Sequence, residues 1–311
     1  MKQVLGITIL KKVAGLEKEN TFKDISSTHE ALKCLANCIL LEEKTKIYVE
    51  KNNGVLLCGQ ILEKNKELSL DSEFLICRII FFMTVNRSDI VQQLMDYNIA
   101  DSTERILSNN VDIILKEKDN LDTSKPINPV SVVNEALKML FNMILAYERR
   151  PQQQEQSQKN EQSPSFITTE LTGPEYFNLC LLPIFKIIFQ VPPPEPLPLS
   201  PPHSHAIHAL MQYPYSVVVQ IWRDHKDKVF QPNTSVEEGR AFVGIKMIEL
   251  LQKSFDYLLP NEDPDDIPQE NRQHYNIDAI LSPIILVIRN LAHGDVNLRP
   301  LIAKILLPQE K

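Results

Sequence analysis

Two groups of residues have the types and spacing that could bind a metal ion. His203, His205 and His208 lie within "HSHAIH", where the second and third of them would share one face of a helix. Cys34 and Cys38 are similarly spaced on another predicted helix. A zinc site needs further His or Cys ligands, and the sequence supplies none at suitable spacing near either group. We therefore expect the histidines to mark a helix start, the thiols to be structural, and the protein to need no metal or other cofactor.

Residues 259–275 form a segment rich in carboxylates that contains "PNEDPDDIPQENRQ". A calcium-binding loop needs oxygen ligands at fixed offsets and a central glycine, and this segment contains no glycine. Its prolines interrupt any regular element. The segment is predicted to be a solvated acidic loop.

The sequence has none of the short motifs that mark common catalytic sites. There is no GxGxxG, GxxxxGK[ST], HExxH or GxSxG pattern. No group of nucleophile, base and orienting residue can be assembled either. We therefore expect a protein that is not an enzyme and has no catalytic residues.

Composition and charge narrow the choice of partners and compartment. The formal net charge of -7 gives no reason to expect nucleic acid as a partner. The cysteines number 5, an odd count, and most lie among apolar residues, which indicates a reducing compartment. The N-terminus is a poor signal peptide, and no segment approaches the roughly 18 apolar residues of a membrane span. The predicted location is cytoplasmic, without stable insertion into a membrane.

The most informative pattern is a stretch that occurs twice, as "EALKCLANCIL" at 30–40 and "EALKMLFNMIL" at 135–145. In a helix, the leucines of each copy fall on one face, and a lysine and an asparagine spaced i, i+4 fall on an adjacent face. The segment 282–293, "SPIILVIRNLAH", repeats the asparagine but has leucine in place of the lysine. The polar residues are Lys33 with Asn37, Lys138 with Asn142, and Asn290 in the third copy.

Helices must position these side chains, because the apolar residues recur with helical periodicity and glycine is rare, with 8 residues. The predicted fold is all-α. Internal recurrence in a helical chain is typical of an α-solenoid, in which stacked repeats complete one another's core. Predicted helices span 1–13, 26–41, 44–51, 54–64, 72–86, 87–97, 99–117, 129–149, 174–190, 204–222, 236–258, 276–293 and 295–306.

A single solenoid domain is predicted over residues 1–311, interrupted by long irregular segments. A Gln/Ser-rich insertion at 149–171 has too few apolar residues to offset its ordering entropy and is predicted to be disordered. A Pro-rich linker at 191–203 is expected to adopt the polyproline II conformation. The acidic loop is the third of these interruptions.

One helix of each solenoid repeat lines a concave groove. An asparagine at a fixed place on that helix has two uses: it can satisfy backbone groups at the turn between repeats, or it can present a donor and an acceptor to a ligand. Arg78 lies in the apolar helix "FLICRIIFFMT", so its charge must be paired or must reach an open groove. The residues alone leave both questions open.

Five segments of the chain carry a family resemblance: "EALKCLANCILL", "EFLICRIIFFMTVNRSDIVQQL", "NEALKMLFNMIL", "HSHAIHALMQYP" and "DAILSPIILVIRNLAHGDVNLRPLIAKILLP". In order and spacing they resemble landmarks of the synembryn family. The resemblance implies an armadillo/HEAT-like right-handed superhelix (an α-solenoid) with long irregular linkers. It also implies a folding chaperone and guanine nucleotide exchange factor that binds heterotrimeric G-protein α subunits (Gα) and promotes GDP release.

The same resemblance implies that the C-terminal helix of Gα docks on the concave groove. Lys12 matches a basic residue of the first groove helix, whereas Thr8 stands where a further basic residue is expected. The other residues that match by position are Asn37, Arg78 and Asn142, and Asn290 and His293 lie on the equivalent of a late groove helix.

The resemblance also has limits that shape the expected function. Family members continue beyond "KILLPQEK" with further repeats and an acidic tail, so we expect this chain to be a fragment or a short form with weak exchange activity. Binding to Gα would bring it to the cytoplasmic face of the plasma membrane. The alternative is a generic armadillo/HEAT adaptor that binds another peptide or helix without exchange activity.

Overall fold

The computed structural model describes residues 2–17, 21–117, 120–148, 174–193, 199–214, 216–218, 220–221, 224, 247–254, 277–294, 296, 299–300 and 303. Every regular element within these ranges is a helix, which confirms the predicted all-α class. The predicted disordered insertion and the acidic loop lie outside the described residues, and the Pro-rich linker is described only at its two ends.

The chain divides into two compact units, Met1–Cys180 and Leu181–Lys311. The helices of the first unit are α1 (Lys2–Val13), α2 (Ser26–Leu41), α3 (Glu43–Lys51), α4 (Gly54–Lys64), α5 (Leu70–Thr84), α6 (Ser88–Met95), α7 (Ile99–Lys116), α8 (Pro129–Glu148) and α9 (Pro174–Phe177), followed by a 3-10 turn at Asn178–Cys180. The second unit contains α10 (Leu181–Phe189), α11 (Pro201–Leu210) and α12 (Ile277–Gly294), and residues 247–254 are also helical.

The helices of the first unit form two layers. In one layer α1 packs on α2, α2 on α5 and α5 on α8. The other layer contains α3, α4, α6 and α7, and α4 contacts the other three. The third helix of each successive triplet, α3 to α5 and α6 to α8, therefore returns to the first layer. The repeated stretch lies in α2 and α8, on either side of α5.

Both copies of the repeated stretch bury the same positions. In α2, Leu32 and Leu35 are fully buried, and the matching Leu137 and Leu140 of α8 are buried to the same extent. A fully buried leucine stabilises the fold by about 2 kcal/mol relative to an exposed one. The shared apolar pattern is therefore a packing requirement of helices that occupy equivalent places in one layer.

Short turns between the helices depend on asparagine in the left-handed region of φ and ψ. Asn53 precedes α4 with φ 55°, Asn98 precedes α7 with φ 47°, and Asn86 follows α5 with φ 56°. Asparagine tolerates this conformation better than other residues with a Cβ atom, but a helix cannot continue through it. The predicted helix 72–86 was therefore too long at its end, because α5 stops at Thr84.

Prolines account for two further differences from the predicted helices. The predicted helix 174–190 is divided into α9, a 3-10 turn and α10. Pro183, in the first turn of α10, has no N–H to donate to the carbonyl four residues earlier. The helix predicted from 204 starts at Pro201, because proline fits the first helical turn, and it ends at Leu210, shortly before Pro214.

Asp24 ties the loop before α2 to the start of α5. Its carboxylate accepts hydrogen bonds from the backbone N–H of Ser69 at 2.6 Å, from the Ser69 hydroxyl at 2.7 Å and from the Ser72 hydroxyl at 2.7 Å. His29 is a further partner. Although burial acts to raise the pKa of Asp24, the hydrogen bonds from Ser69, His29 and Ser72 lower it to about 2.

α8 is long and apolar enough, by length and composition, to cross a membrane over Pro129–Tyr147. The sequence was expected to contain no such segment. Within the first unit, however, α8 packs against both α5 and α7. The span also includes Glu135 and Lys138, which form an ion pair. α8 is thus a core helix of this unit.

Candidate functional site

Arg78 is half-buried in α5 between two aromatic rings of its own helix. Its guanidinium carbon lies 5.5 Å from the ring centroid of Phe74 and 5.5 Å from that of Phe82. Such contacts stabilise a cation by about 0.5 to 2 kcal/mol. The Nε atom is buried without a partner, and Arg78 forms no hydrogen bond or ion pair with any residue that the structure describes. Its positive charge is therefore held in place by aromatic rings, without a counter-charge from the described part of the chain.

Lys138 of α8 makes a similar contact between a cation and an aromatic ring, in this case with a ring of α5. Its ammonium lies 4.9 Å from the ring centroid of Phe81, and the rings of Phe81 and Phe82 are 5.5 Å apart. Lys138 also pairs with Glu135 at 2.5 Å. We call this set the cation–aromatic row: Phe74, Arg78, Phe82, Phe81 and Lys138.

Asn142 of α8 connects to the end of α5. Its side-chain amide donates a hydrogen bond of 3.0 Å to the Phe81 carbonyl and lies 3.3 Å from the Thr84 hydroxyl. The carbonyls in the last turn of a helix have no partner within the helix, so an amide from a neighbouring helix satisfies one of them. Of the two uses of asparagine that the sequence left open, Asn142 therefore has the structural one, which is to satisfy a backbone group.

Asn37, the counterpart of Asn142 in the repeat, is exposed on α2 and forms no side-chain hydrogen bond with the described residues. The preceding helix of the layer explains the difference. At the end of α1, Gly15 has φ 72°, and the N–H groups of Gly15 and Leu16 donate to the carbonyls of Lys12 and Lys11. This Schellman arrangement satisfies the last carbonyls of α1 locally, so Asn37 is not needed to cap them.

The predicted basic residues of α1 and α2 lie in different surroundings. Lys33 is exposed and its ammonium is 3.7 Å from Glu30. Thr8 lies 2.7 Å from the Tyr48 hydroxyl of α3, and Lys12, spaced i, i+4 from it, is exposed on the same face of α1. This face of α1 is directed toward the second layer.

Lys11 was not singled out by the sequence, yet it is the buried lysine of α1. Its ammonium donates a hydrogen bond of 3.0 Å to the carbonyl of Asn52, at the end of α3. Burial lowers the pKa of Lys11, while the charge of Glu17 acts in the opposite direction. Lys11 is therefore a structural link between the two layers.

Comparison with known proteins identifies the family of the chain. A family model described as guanine nucleotide exchange factor synembryn matches residues 3–311. The chain belongs to the synembryn family. No curated protein matches it. Among solved structures, the crystal structure of an engineered protein shares 12% identity, covers 92% of this chain and 97% of its own, and has a TM-score of 0.44.

Two predicted residues of this synembryn-family chain lie in the second unit. Asn290 and His293 are both exposed on α12. Arg78, Lys138 and Asn142 are brought together by the packing of α5 on α8. Lys33 and Asn37 lie on α2, which packs on the other side of α5.

Sequence reasoning missed the aromatic residues and Glu135. Phe74, Arg78 and Phe82 follow one another at i, i+4 and i+8, so their shared face was visible in the sequence. Each repeated stretch also has glutamate three positions before its lysine, the spacing of a helical ion pair. Phe81 was harder to find, because its contact with Lys138 depends on the packing of α5 against α8.

The histidines begin a helix, as the sequence predicted. His203 is buried at the start of α11, with Nε2 2.8 Å from the Val191 carbonyl and Nδ1 2.5 Å from the Ser200 hydroxyl. Burial lowers its pKa, while the Val191 bond acts to raise it. His205 and His208 each place Nδ1 within 2.9 Å of a backbone carbonyl of α11. Over the described ranges, no three His, Cys, Asp or Glu side chains are placed to hold a metal ion.

The thiols divide into buried and accessible ones. Cys58, Cys77 and Cys180 are buried, Cys38 is partly buried and Cys34 is exposed. Burial raises the pKa of Cys58 to about 12, and it raises the pKa values of the other two buried thiols as well. These three cysteines are structural.

Proposed function

We propose that the chain binds Gα through the surface formed by α2, α5 and α8, acts as a folding chaperone for Gα and promotes GDP release. Membership of a family of exchange factors supports the exchange activity. The observation that supports the surface is Arg78, a cation that has no counter-charge among the described residues and is framed by Phe74 and Phe82.

The chemistry of this surface suits the end of a helix. A guanidinium can bind a carboxylate through two parallel hydrogen bonds, and its donors here are already oriented by the rings. Aromatic rings on either side offer contact to apolar side chains of the same ligand. The partner that we propose is the C-terminal helix of Gα, which would end with its carboxylate at Arg78. Asn37 would present its free amide to the same ligand.

Exchange by this route needs no catalytic side chain, metal or cofactor. A protein that binds preferentially the conformation of Gα with weak affinity for GDP shifts the population toward that conformation, and GDP then leaves. The same preference for a nucleotide-poor Gα would stabilise a newly made α subunit, which is the chaperone activity that we propose.

We propose further that the helical triplets stack as an armadillo/HEAT-type right-handed superhelix. The return of α2, α5 and α8 to one layer supports this. We also propose a cytoplasmic location, with recruitment to the cytoplasmic face of the plasma membrane through Gα.

A pull-down with purified Gα tests the proposal. Gα with and without its last helix is presented in the GDP-bound and nucleotide-free states. We expect strongest binding of nucleotide-free Gα with its last helix intact. Absence of binding in every state would refute the proposal, and binding that survives loss of the last helix would refute the assignment of the surface. Equal binding of an unrelated apolar helix with a free carboxylate would indicate a generic adaptor instead.

A further inference from the structure

The two Glu-x-x-Lys pairs of the repeated stretch differ in burial. Glu135 and Lys138 are 2.5 Å apart, with side chains 5% and 20% exposed. Glu30 and Lys33 are 3.7 Å apart and 68% and 58% exposed. An exposed pair at that distance is screened by water and contributes little, whereas a buried pair interacts strongly. The same motif thus yields one solvated pair and one fixed pair.

The fixed pair changes the charge of the cation–aromatic row. Glu135 compensates Lys138, so Arg78 is left as the one cation of the row without a carboxylate partner among the described residues. Among these described residues, the cation–aromatic row together with Glu135 therefore carries one net positive charge. One anionic group on a partner is enough to neutralise it.

A second anionic group would meet an unfavourable environment near Lys138. The Oε1 atom of Glu135 accepts a hydrogen bond from the Lys138 ammonium, and its Oε2 atom is buried without a hydrogen-bond partner among the residues that the structure describes. A carboxylate brought close to Lys138 would find the ammonium already neutralised by Glu135, so it would lose its hydration without gaining a counter-charge. Specificity often depends on such an unfavourable desolvation as well as on attraction.

We infer that Glu135 sets the charge selectivity of this surface: the row accepts a helix end with one carboxylate at Arg78 and apolar neighbours, and it rejects a helix end with several acidic residues. Glu135 acts through Lys138 and does not itself contact the partner. The inference rests on the proposed function, since it takes this surface to be where the end of the Gα helix binds.

Two fluorescent helical peptides test the inference with the whole chain. Both end in leucine with a free carboxylate, and they differ only in that one has two glutamines in its last turn where the other has two glutamates. We expect the wild-type chain to bind the glutamine peptide about tenfold more tightly. In Glu135→Gln this preference should fall to about twofold, because Lys138 would then offer an uncompensated positive charge to the additional carboxylates.

Glu30→Gln is the matched control, since it alters the exposed pair of the same motif, and it should retain the wild-type preference. Lys138→Met is a second variant with the opposite expectation: it leaves Glu135 uncompensated, so the preference should widen. Circular dichroism establishes that each variant is folded. The inference is overturned if neither peptide binds, if the wild type shows no preference, or if folded Glu135→Gln keeps the wild-type ratio.

The Gα pull-down distinguishes this inference from the proposed function. Discrimination between the peptides without any binding of Gα would refute the proposed function and leave the charge selectivity established. Binding of Gα without discrimination between the peptides would refute the charge selectivity alone.

Discussion

The Asn142 side chain of α8 donates a hydrogen bond of 3.0 Å to the carbonyl of Phe81 in the last turn of α5. This bond fixes the end of the helix that carries Arg78 and both rings of the Phe81–Phe82 pair. Asn37, which occupies the same place in the repeated stretch, forms no such bond with the part of the chain that the structure describes. Asn142 and Asn37, which occupy equivalent positions of the repeated stretch, therefore differ in their hydrogen bonds.

Asn142→Ala is expected to lower the free energy of unfolding by about 1 kcal/mol, because it removes one hydrogen bond to a helix end. The Phe81 carbonyl keeps the Thr84 hydroxyl at 3.2 Å, which limits the loss. Asn37→Ala is the matched control and should change stability by less than about 0.5 kcal/mol. Urea denaturation measures both. Equal losses at the two positions would contradict the difference in contacts.

The two asparagines also show what could be predicted from sequence. The bounds of α2 and α4 agree with the predicted helices 26–41 and 54–64, because an apolar stripe of helical period specifies a helix locally. The partner of Asn142 was not predictable in this way, since Phe81 is 61 residues earlier in the chain. The buried state of Glu135 likewise depends on how α8 packs in the unit, which no local pattern encodes.

Gly54→Ala should destabilise the fold, although alanine favours a helix. A Cβ atom at this position would lie 2.6 Å from Val49 Cγ1 and 3.1 Å from the Val49 carbonyl oxygen. Relieving such a contact costs about 1 to 3 kcal/mol. Gly6→Ala is the control, because nothing lies within 4 Å of its Cβ position, and it should stabilise α1 by up to about 1 kcal/mol. A melting temperature for Gly54→Ala that equals or exceeds that of the wild type would refute the expected clash.

The free energy of unfolding should depend on pH through the Asp24 carboxyl group. Its pKa is about 2 in the folded chain and near 3.8 when unperturbed, so the folded state favours the charged form. The stabilisation is fully present above the unfolded value and is lost as the pH falls through about 2. Because the carboxylate is partly exposed, we expect a contribution of about 1 kcal/mol rather than the full linkage value. Asp24→Asn should therefore be less stable than the wild type at pH 7.

The difference between wild type and Asp24→Asn should shrink as the pH is lowered from 5 toward 2. Urea midpoints at several pH values measure this difference. A constant difference over that range would show that the hydrogen bonds from Ser69 and Ser72 stabilise the fold without favouring the charged carboxylate.

Arg78→Gln should weaken binding of nucleotide-free Gα by about 10- to 100-fold, because a charge-assisted hydrogen bond contributes about 1.5 to 3 kcal/mol. Stability should fall by no more than about 0.5 to 2 kcal/mol from the lost contacts with Phe74 and Phe82, since Arg78 forms no ion pair with the described residues. Arg78→Lys keeps the charge but loses the planar fork that stacks between Phe74 and Phe82, so it should restore binding only in part. Binding constants from calorimetry, with unfolding curves for each variant, separate the two effects. If Arg78→Gln binds Gα as tightly as the wild type, Arg78 is a structural cation and the binding surface lies elsewhere.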